Sequence, residues 1–219
     1  MIETETCDGV VPVLVRKGDK GQLDRIIVDE VQVRDVYHVK ELVGSGFDPK
    51  RIMDIGAHIG TFTTLAAHYF PNAWIHAFEP LPEEFAVLAM NLPANATALR
   101  AAVVGFYGKD RNMGVYRSHS DEQRWRLERN GNCLSASMAY CLASETTGKV
   151  DMMKLDCEQS EVNILSELDM AGVLKTIDVV HGEWHFEPAR KEVIRILCKT
   201  HHVETIDKGE WNLFYADRR

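Results

Sequence analysis

Residues 51–60 read Arg-Ile-Met-Asp-Ile-Gly-Ala-His-Ile-Gly: a short buried strand, Ile52-Met53-Asp54-Ile55, running into a glycine turn. A helix is expected to open at Gly60-Thr61. Gly56 and Gly60 lack Cβ atoms, so the backbone can bend sharply and a ligand can come close. The start of the helix presents unpaired N–H groups. Asp54 places a carboxylate at the strand end, just before the turn. Such an acid repels a phosphate but suits a ligand with a positive end, such as an amino-acid ammonium.

A second strand, Ala73-Trp74-Ile75-His76-Ala77-Phe78, ends on Glu79. In open α/β sheets an acid at the end of the second strand accepts hydrogen bonds from ribose hydroxyls. One carboxylate therefore suits an amino acid and the other a ribose, and S-adenosylmethionine carries both groups. A nicotinamide dinucleotide would ask for G-x-G-x-x-G after the first strand. Here only Gly56 and Gly60 stand there, with three residues between them, so that reading loses.

Three motifs occur in order: D-I-G-A-H-I-G from Asp54, F-E-P at Phe78-Glu79-Pro80, and K-L-D-C-E-Q-S-E from Lys154 to Glu161. Together they resemble the FkbM-type family of S-adenosylmethionine-dependent methyltransferases, over roughly Arg51 to Glu183. The first motif marks only the broad methyltransferase superfamily; its combination with K-L-D-x-E-x-x-E is far more specific. Gln159 stands where the family usually has glycine. The resemblance implies a Rossmann-like methyltransferase fold of α/β class. That is a mostly parallel seven-stranded sheet with helices on both faces and a C-terminal antiparallel hairpin. It also implies S-adenosyl-L-methionine as cofactor, and places Asp156 near the cofactor methyl and the acceptor.

Composition sets bounds. The chain of 219 residues is large enough for a substantial core. Apolar content of 45% and charged content of 26% are ordinary for a globular protein. A net charge of -8 argues against a general nucleic-acid or anionic-membrane binder. The five cysteines, Cys7, Cys133, Cys141, Cys157 and Cys198, contain no C-x-x-C pair. They read as reduced thiols in a cytoplasmic protein. The polar, acidic start Met1-Ile-Glu-Thr-Glu-Thr is no signal peptide, and no apolar run approaches the ~20 residues of a membrane helix.

Residues 1–50 read as an N-terminal cover on the sheet, with a wall of the acceptor pocket as the alternative. Val10–Val15 is a strand candidate, Lys17–Gly21 a turn, and Ile26–Val28 a second short strand. Asp35 caps a helix bearing Val36, Val39 and Val43. Residues 51–219 form the methyltransferase domain. Its first helix carries Phe62, Leu65, Ala66 and Tyr69 and stops before Pro71. Pro82 opens the next helix, with Phe85, Leu88, Ala89 and Leu92 as its buried stripe. Ala96–Val104 is the third strand. Strand, helix, strand, helix, strand predicts a parallel sheet covered on both faces.

Residues 105–148 are long for a connection and read either as a solvated excursion or as a lid or insertion that selects the acceptor. Gly114–Tyr116 is a strand candidate there, and Asp121–Asn130 a charged short helix or loop; Ser135, Ser137 and Ser144 lie in a small-residue stretch. Val150–Leu155 is the fourth strand, and the helix after it turns Val162, Leu165 and Leu168 inward. Thr176–Val180 is the fifth strand, extending toward Trp184. Pro188 starts a helix with Val193, Ile194, Leu197 and Cys198 on its apolar side. Val203–Ile206 and Trp211–Ala216 form a hairpin.

Methyl transfer to oxygen requires acceptor and methyl held in line, with a route for the proton. Candidate groups sit at the carboxyl ends of the strands. Asp54, Gly56 and Gly60, with the backbone of Ala57 and His58, are assigned to the methionine end of the cofactor. Glu79, followed by Pro80, is assigned to the ribose, and Ala101 and Ala102 to the adenine by position alone. Asp156 touches cofactor amine or acceptor hydroxyl, or acts as base, with Lys154 one strand step away on the same face. Glu158 and Glu161 begin a helix, where the dipole alone favours acids. His181, Glu183 and His185 alternate and share a strand face. They form either a polar strand end over an acceptor pocket, with Glu183 or His185 as base, or a metal site with Asp156. His201-His202 is expected in a surface turn. The favoured reading is O-methylation of a hydroxyl on a small metabolite or sugar. The rivals are a metal-dependent methyltransferase and a non-catalytic cofactor-binding module.

Overall fold

The structure, a computed structural model, describes residues 2–105, 112–118, 121–129, 133–137, 149–158, 160–208 and 211–218. The chain begins with strands β1 (Thr4–Cys7) and β2 (Val13–Arg16) and helix α1 (Asp19–Val28), which runs into a π-helical turn at Asp29–Val33. Helix α2 (Val39–Gly44), strand β3 (Arg51–Ile55), helix α3 (Thr61–Tyr69), strand β4 (Trp74–Phe78), helix α4 (Pro82–Asn91) and strand β5 (Ala96–Leu99) follow. Next come β6 (Ala101–Val104), β7 (Asn112–Ser118), β8 (Asp121–Arg129) and β9 (Cys133–Ser137). The last part holds β10 (Met152–Leu155), α5 (Glu161–Met170), β11 (Val179–Glu183), α6 (Glu187–Leu197), β12 (His201–Lys208) and β13 (Trp211–Arg218).

The main sheet has seven strands in the order β12-β13-β11-β10-β3-β4-β5. The strands from β11 to β5 are parallel, and β13 joins β11 antiparallel as part of the C-terminal hairpin. This is the sheet expected from the sequence. Chain order runs outward from β3 through β4 to β5, then resumes at β10 on the other side of β3. The order therefore reverses between β3 and β10, and a ligand crevice opens at such a point beyond the strand carboxyl ends.

Alternation along the strands divides the core between two faces. Met53, Ile55, Met153, Leu155 and Val180 pack under α5 and α6, against Ile164, Leu165, Leu168, Val193 and Leu197. Ile52, Ile75, Met152 and Val179 pack under α2 and α3, against Val39, Leu42, Phe62 and Leu65. Asp54, Lys154, Asp156, His181 and Glu183 share the parity of the second set, so the polar strand ends emerge on the α2/α3 face.

Several local expectations need correction. Ile26–Val28 lies in helix α1, not a strand, and Asp19 within the expected turn already begins that helix. Gly21, Asp24 and Val28 are its buried positions, a helical spacing that overrides the β-branched triplet. Residues 96–104 break after Leu99: Ala101–Val104 leaves the main sheet and pairs with β9 in a second sheet of order β6-β9-β7-β8. Asp121–Arg129 is a strand in that sheet rather than a helix or loop. Ser144 and Gln159 lie outside the described residues. On α4 the buried positions are Glu84, Val87 and Leu88, while Ala89 is exposed, because Arg16 draws the Glu84 carboxylate inward. On α6, Ile196 is buried and Cys198 is exposed. His201 is buried in β12, its Nε2 3.0 Å from the Ile177 carbonyl oxygen, so it is no surface turn.

Candidate active site

The β3–α3 turn is strained by design of its backbone. Gly56 and Gly60 take φ of 82° and 91°, and His58 takes 52°. A Cβ on Gly56 would lie 1.7 Å from the Asp156 carbonyl oxygen, and one on Gly60 would lie 2.8 Å from Leu88 Cδ1. Gly56 is thus required by packing as well as by φ, while Gly60 is required by its φ. The turn is tied to β4, since the N–H groups of Gly56 and Ala57 both donate to the Phe78 carbonyl, at 3.0 and 2.9 Å. Ala57 is buried beside Ala77 and Leu88.

Glu79 sits at the end of β4, only 5% exposed. The His58 N–H donates to its Oε2 at 2.8 Å, and the Leu81 N–H to its Oε1 at 2.8 Å. Burial pushes its pKa up to about 7 despite those two bonds. Each oxygen keeps lone-pair capacity for a further donor, as the ribose role requires. Pro80 then leads the chain toward α4.

The N-terminal segment clamps the turn from outside. The buried Arg16 guanidinium pairs with Asp24 and Glu84, and its Nη2 lies 3.1 Å from His58 Nε2. Burial lowers the His58 pKa to about 4, so the ring accepts that bond as a neutral imidazole. Asn91 on α4 accepts from the Leu14 N–H at 2.8 Å and donates to the Ile59 carbonyl at 2.8 Å. Asp35 accepts from the N–H groups of Val39 and Lys40, both at 2.8 Å, and so caps α2, but Val36 lies before that helix and Val43 is exposed, with Val39 and Leu42 as its buried positions.

Across the switch point, Lys154 pairs in register with Asp54. Its ammonium lies 3.4 Å from Asp54 Oδ1 and 3.4 Å from Asp156 Oδ2, and it donates to the Gly56 carbonyl. Asp54 is fully buried and accepts from Thr63 Oγ1 at 2.6 Å. Lys154 thus supplies one cation beside Asp54, whose Oδ1 has no hydrogen-bond partner among the described residues. Burial raises the Asp54 pKa, with Lys154 and Thr63 pulling against it. Burial also disfavours the Lys154 ammonium, yet Asp156 and Asp54 outweigh it and raise that pKa. Removing a cation from such a buried pair strands the remaining charge, which is far costlier than the pair itself.

Asp156, just beyond β10, gathers several charged and polar partners. Burial alone would raise its pKa, but Lys154 first, then His185 and Tyr37, hold it well below the usual carboxylate range. The Tyr37 hydroxyl donates to Asp156 Oδ2 at 2.8 Å. His185 Nε2 lies 3.3 Å from Asp156 Oδ1 and 3.7 Å from Glu158 Oε2. The other ring nitrogen, Nδ1, is 2.8 Å from Oε1 of Glu161, itself fully buried. Glu183 stands at the open edge; burial, then the neighbouring Asp156 carboxylate, pushes its pKa up to about 8.

The structure thus brings together Asp156, Glu183 and His185. It takes His181 away from them: Nδ1 is 2.9 Å from the Tyr37 carbonyl oxygen and Nε2 is 3.5 Å from Asp217. Ala101 and Ala102 are buried on β6, and Ala101 packs with Phe78 in the core under α5. Glu161 is more than a dipole-stabilised helix acid, because it fixes His185. Two residues escaped the sequence reading. Tyr37 comes from the supposed cover segment, and Arg16 braces the turn through His58. No local pattern marks either; both depend on contacts across 119 and 42 positions.

The sequence model of the methyltransferase FkbM domain matches residues 54–207, which span all these strand ends. The chain belongs to the FkbM methyltransferase family. It is a methyltransferase by that membership, and its sheet is the Rossmann-like methyltransferase fold. Its fold is similar to that of cofactor-bound Rv0187 from MTB, with 12% identity and a TM-score of 0.52, covering 92% of this chain and 91% of that one. It is also similar to magnesium protoporphyrin IX methyltransferase from Synechocystis PCC 6803 with bound SAM. There the identity is 11% and the TM-score 0.50, covering 93% and 86%. At such identities the likeness concerns the fold. No curated protein matches this FkbM-family chain at a significant level. Among the described residues, no helix is long and apolar enough to cross a membrane, and Cys7, Cys157 and Cys198 are free thiols.

Proposed function

We propose that this FkbM-family chain is an S-adenosylmethionine-dependent O-methyltransferase acting on a hydroxyl of a small metabolite or sugar. The carrying observation is that the Gly56–Gly60 turn and Glu79 lie at the same sheet edge as Asp156, across one reversal of strand order. The cofactor fit has a direct support. Thr61 Oγ1 and His58 Nδ1 are buried beside the turn without a hydrogen-bond partner among the described residues, so polar groups there await a ligand. Glu79 would take the ribose hydroxyls, and the turn backbone the methionine end. When bound, the cofactor supplies a methyl group on a sulfonium, ready for in-line displacement.

The protein's own part is positioning. Asp156 keeps Oδ2 engaged with Tyr37 and Lys154, so Oδ1 is the oxygen that can accept a hydrogen bond from the acceptor hydroxyl. The acceptor oxygen gains the bond to the methyl carbon as the carbon–sulfur bond breaks. Its proton passes to an edge carboxylate, for which Glu183 is placed. Rigid contacts to Tyr37 and Lys154 keep the acid from following solvent, which is what orientation catalysis needs.

Calorimetric titration with S-adenosylmethionine and S-adenosylhomocysteine, with NAD as control, tests the cofactor side. Binding of the first two and not of NAD supports the reading, and a screen of hydroxylated metabolites and sugars for methyl acceptance follows. Absence of binding by both sulfur ligands overturns it.

A further inference from the structure

We infer that Asp156, Glu183 and His185 form a binding site for one divalent transition-metal cation of the zinc or manganese class. Its role at the acceptor hydroxyl rests on the function proposed above; the binding itself does not.

The first argument is placement. Each of the three residues offers one ligand atom, and these atoms all lie within 4.8 Å of one another. Two strands bring them together: Asp156 follows β10, while Glu183 ends β11 and His185 lies just beyond it. They stand at the carboxyl edge of the sheet and are partly exposed, with the Asp156 side chain 28% exposed.

The second argument is the imidazole. His185 is nine-tenths buried, with its side chain 10% exposed. Its Nδ1 faces the fully buried Glu161 at 2.8 Å, so Nδ1 carries the hydrogen and donates it. Nε2 faces Asp156 Oδ1 at 3.3 Å and Glu158 Oε2 at 3.7 Å, and a cation would take the place of any proton it carries. A buried carboxylate that fixes the outer nitrogen of a histidine is the recurring support for a metal-binding imidazole. The 3.3 Å separation of Nε2 and Asp156 Oδ1 exceeds the roughly 2.7–2.9 Å of a strong charge-assisted hydrogen bond. It is close to the ligand–ligand edge of about 3.4 Å in a tetrahedron with metal bonds of about 2.1 Å.

The third argument is the division of labour on Asp156. Tyr37 and Lys154 both address Oδ2. Oδ1 is turned the other way, toward His185. One oxygen is thus anchored and the other is presented. The imidazole in the set favours zinc and other transition metals, while its two carboxylates also suit manganese; calcium and magnesium prefer all-oxygen sites. A cation there would bind the acceptor oxygen and lower its pKa; its proton would pass to the Glu183 oxygen not turned to the cation as the oxygen–carbon bond forms and the cofactor's carbon–sulfur bond breaks.

The test uses the full chain, stripped with a chelator and dialysed, then titrated with zinc chloride, manganese chloride and magnesium chloride. Thermal unfolding and S-adenosylhomocysteine binding are followed in parallel. One equivalent of zinc or manganese should bind and raise the unfolding temperature by mass action. Glu183→Gln, which removes one edge ligand, should weaken that binding about 10- to 100-fold, and His185→Gln should do the same. Magnesium should not compete. Unchanged metal affinity in both variants, or no stoichiometric binding of zinc or manganese, overturns the inference. S-adenosylhomocysteine binding that survives chelation while no metal binds rejects the metal site and leaves the proposed function standing. Metal binding that depends on Glu183 and His185 without any S-adenosylhomocysteine binding keeps the site and rejects the proposed function.

Discussion

The backbone of Gly56 is in direct contact with that of Asp156: a Cβ on the first would fall 1.7 Å from the carbonyl oxygen of the second. The turn assigned to the cofactor and the acid assigned to the acceptor are therefore one rigid unit, and a shift of either moves the other. Gly56→Ala should be destabilising twice over, through this clash and through a φ of 82°. We expect a loss of at least about 2 kcal/mol in unfolding free energy, read by urea denaturation. A variant as stable as the parent would show that the two strand ends can part freely.

Glu79 gives a pH prediction. Its folded pKa, about 7, exceeds its ordinary value of 4.5, so between these values the folded protein holds a proton that the unfolded chain releases. The residue's contribution to stability is complete below about pH 4 and is lost as the pH rises through about 7. Ribose hydroxyls donate to the ionised carboxylate. Cofactor affinity should therefore rise from about pH 6 to about pH 8, with proton release on binding visible as a buffer dependence of the binding heat. Glu79→Gln should flatten this dependence and weaken binding at the higher pH by about 10- to 100-fold.

Tyr37→Phe keeps the buried ring and removes only the hydroxyl that donates to Asp156. We expect a stability cost of about 1 kcal/mol, unchanged S-adenosylhomocysteine affinity, and a fall in kcat of about tenfold or more. The pattern of kcat lost with cofactor binding retained distinguishes orientation of Asp156 from general damage. Equal loss of both would point to a structural role.

Lys154→Met should be severe, because it leaves fully buried Asp54 without its cation. About 3–5 kcal/mol is the usual cost of breaking a buried pair from one side. Asp54→Asn in the same chain removes the stranded charge and should recover part of the loss. A double-mutant cycle on thermal and urea unfolding measures the coupling. Additive effects would mean that the pair, 3.4 Å apart, does not act as a pair.

Much of the scaffold was legible. The apolar runs around Ile52, Ile75, Met153 and Val180, each separated by a helical stripe, specify parallel strands covered on both faces. Glycines 56 and 60 mark the turn, and the strand-end positions of Asp54, Glu79 and Asp156 follow from the motifs. What failed was local reading near the edges. Ile26–Val28 looks like a strand until Asp24 must meet Arg16. Ala101 looks like a continuation of β5 until the chain leaves the sheet after Leu99.

The sequence by itself determined where carboxylates would stand along the sheet edge, because strand period and glycine turns are local properties. Only the tertiary structure decided what each carboxylate meets. Asp54 meets Lys154, Asp156 meets Tyr37 and His185, and Glu161 holds His185 from behind, while His181 turns away to Tyr37 and Asp217. Such partners are set by how β3, β10, β11 and the N-terminal segment close on one another. A charge leaving water must find its compensation among whatever side chains that closure brings within reach, and the order of residues along the chain does not record it.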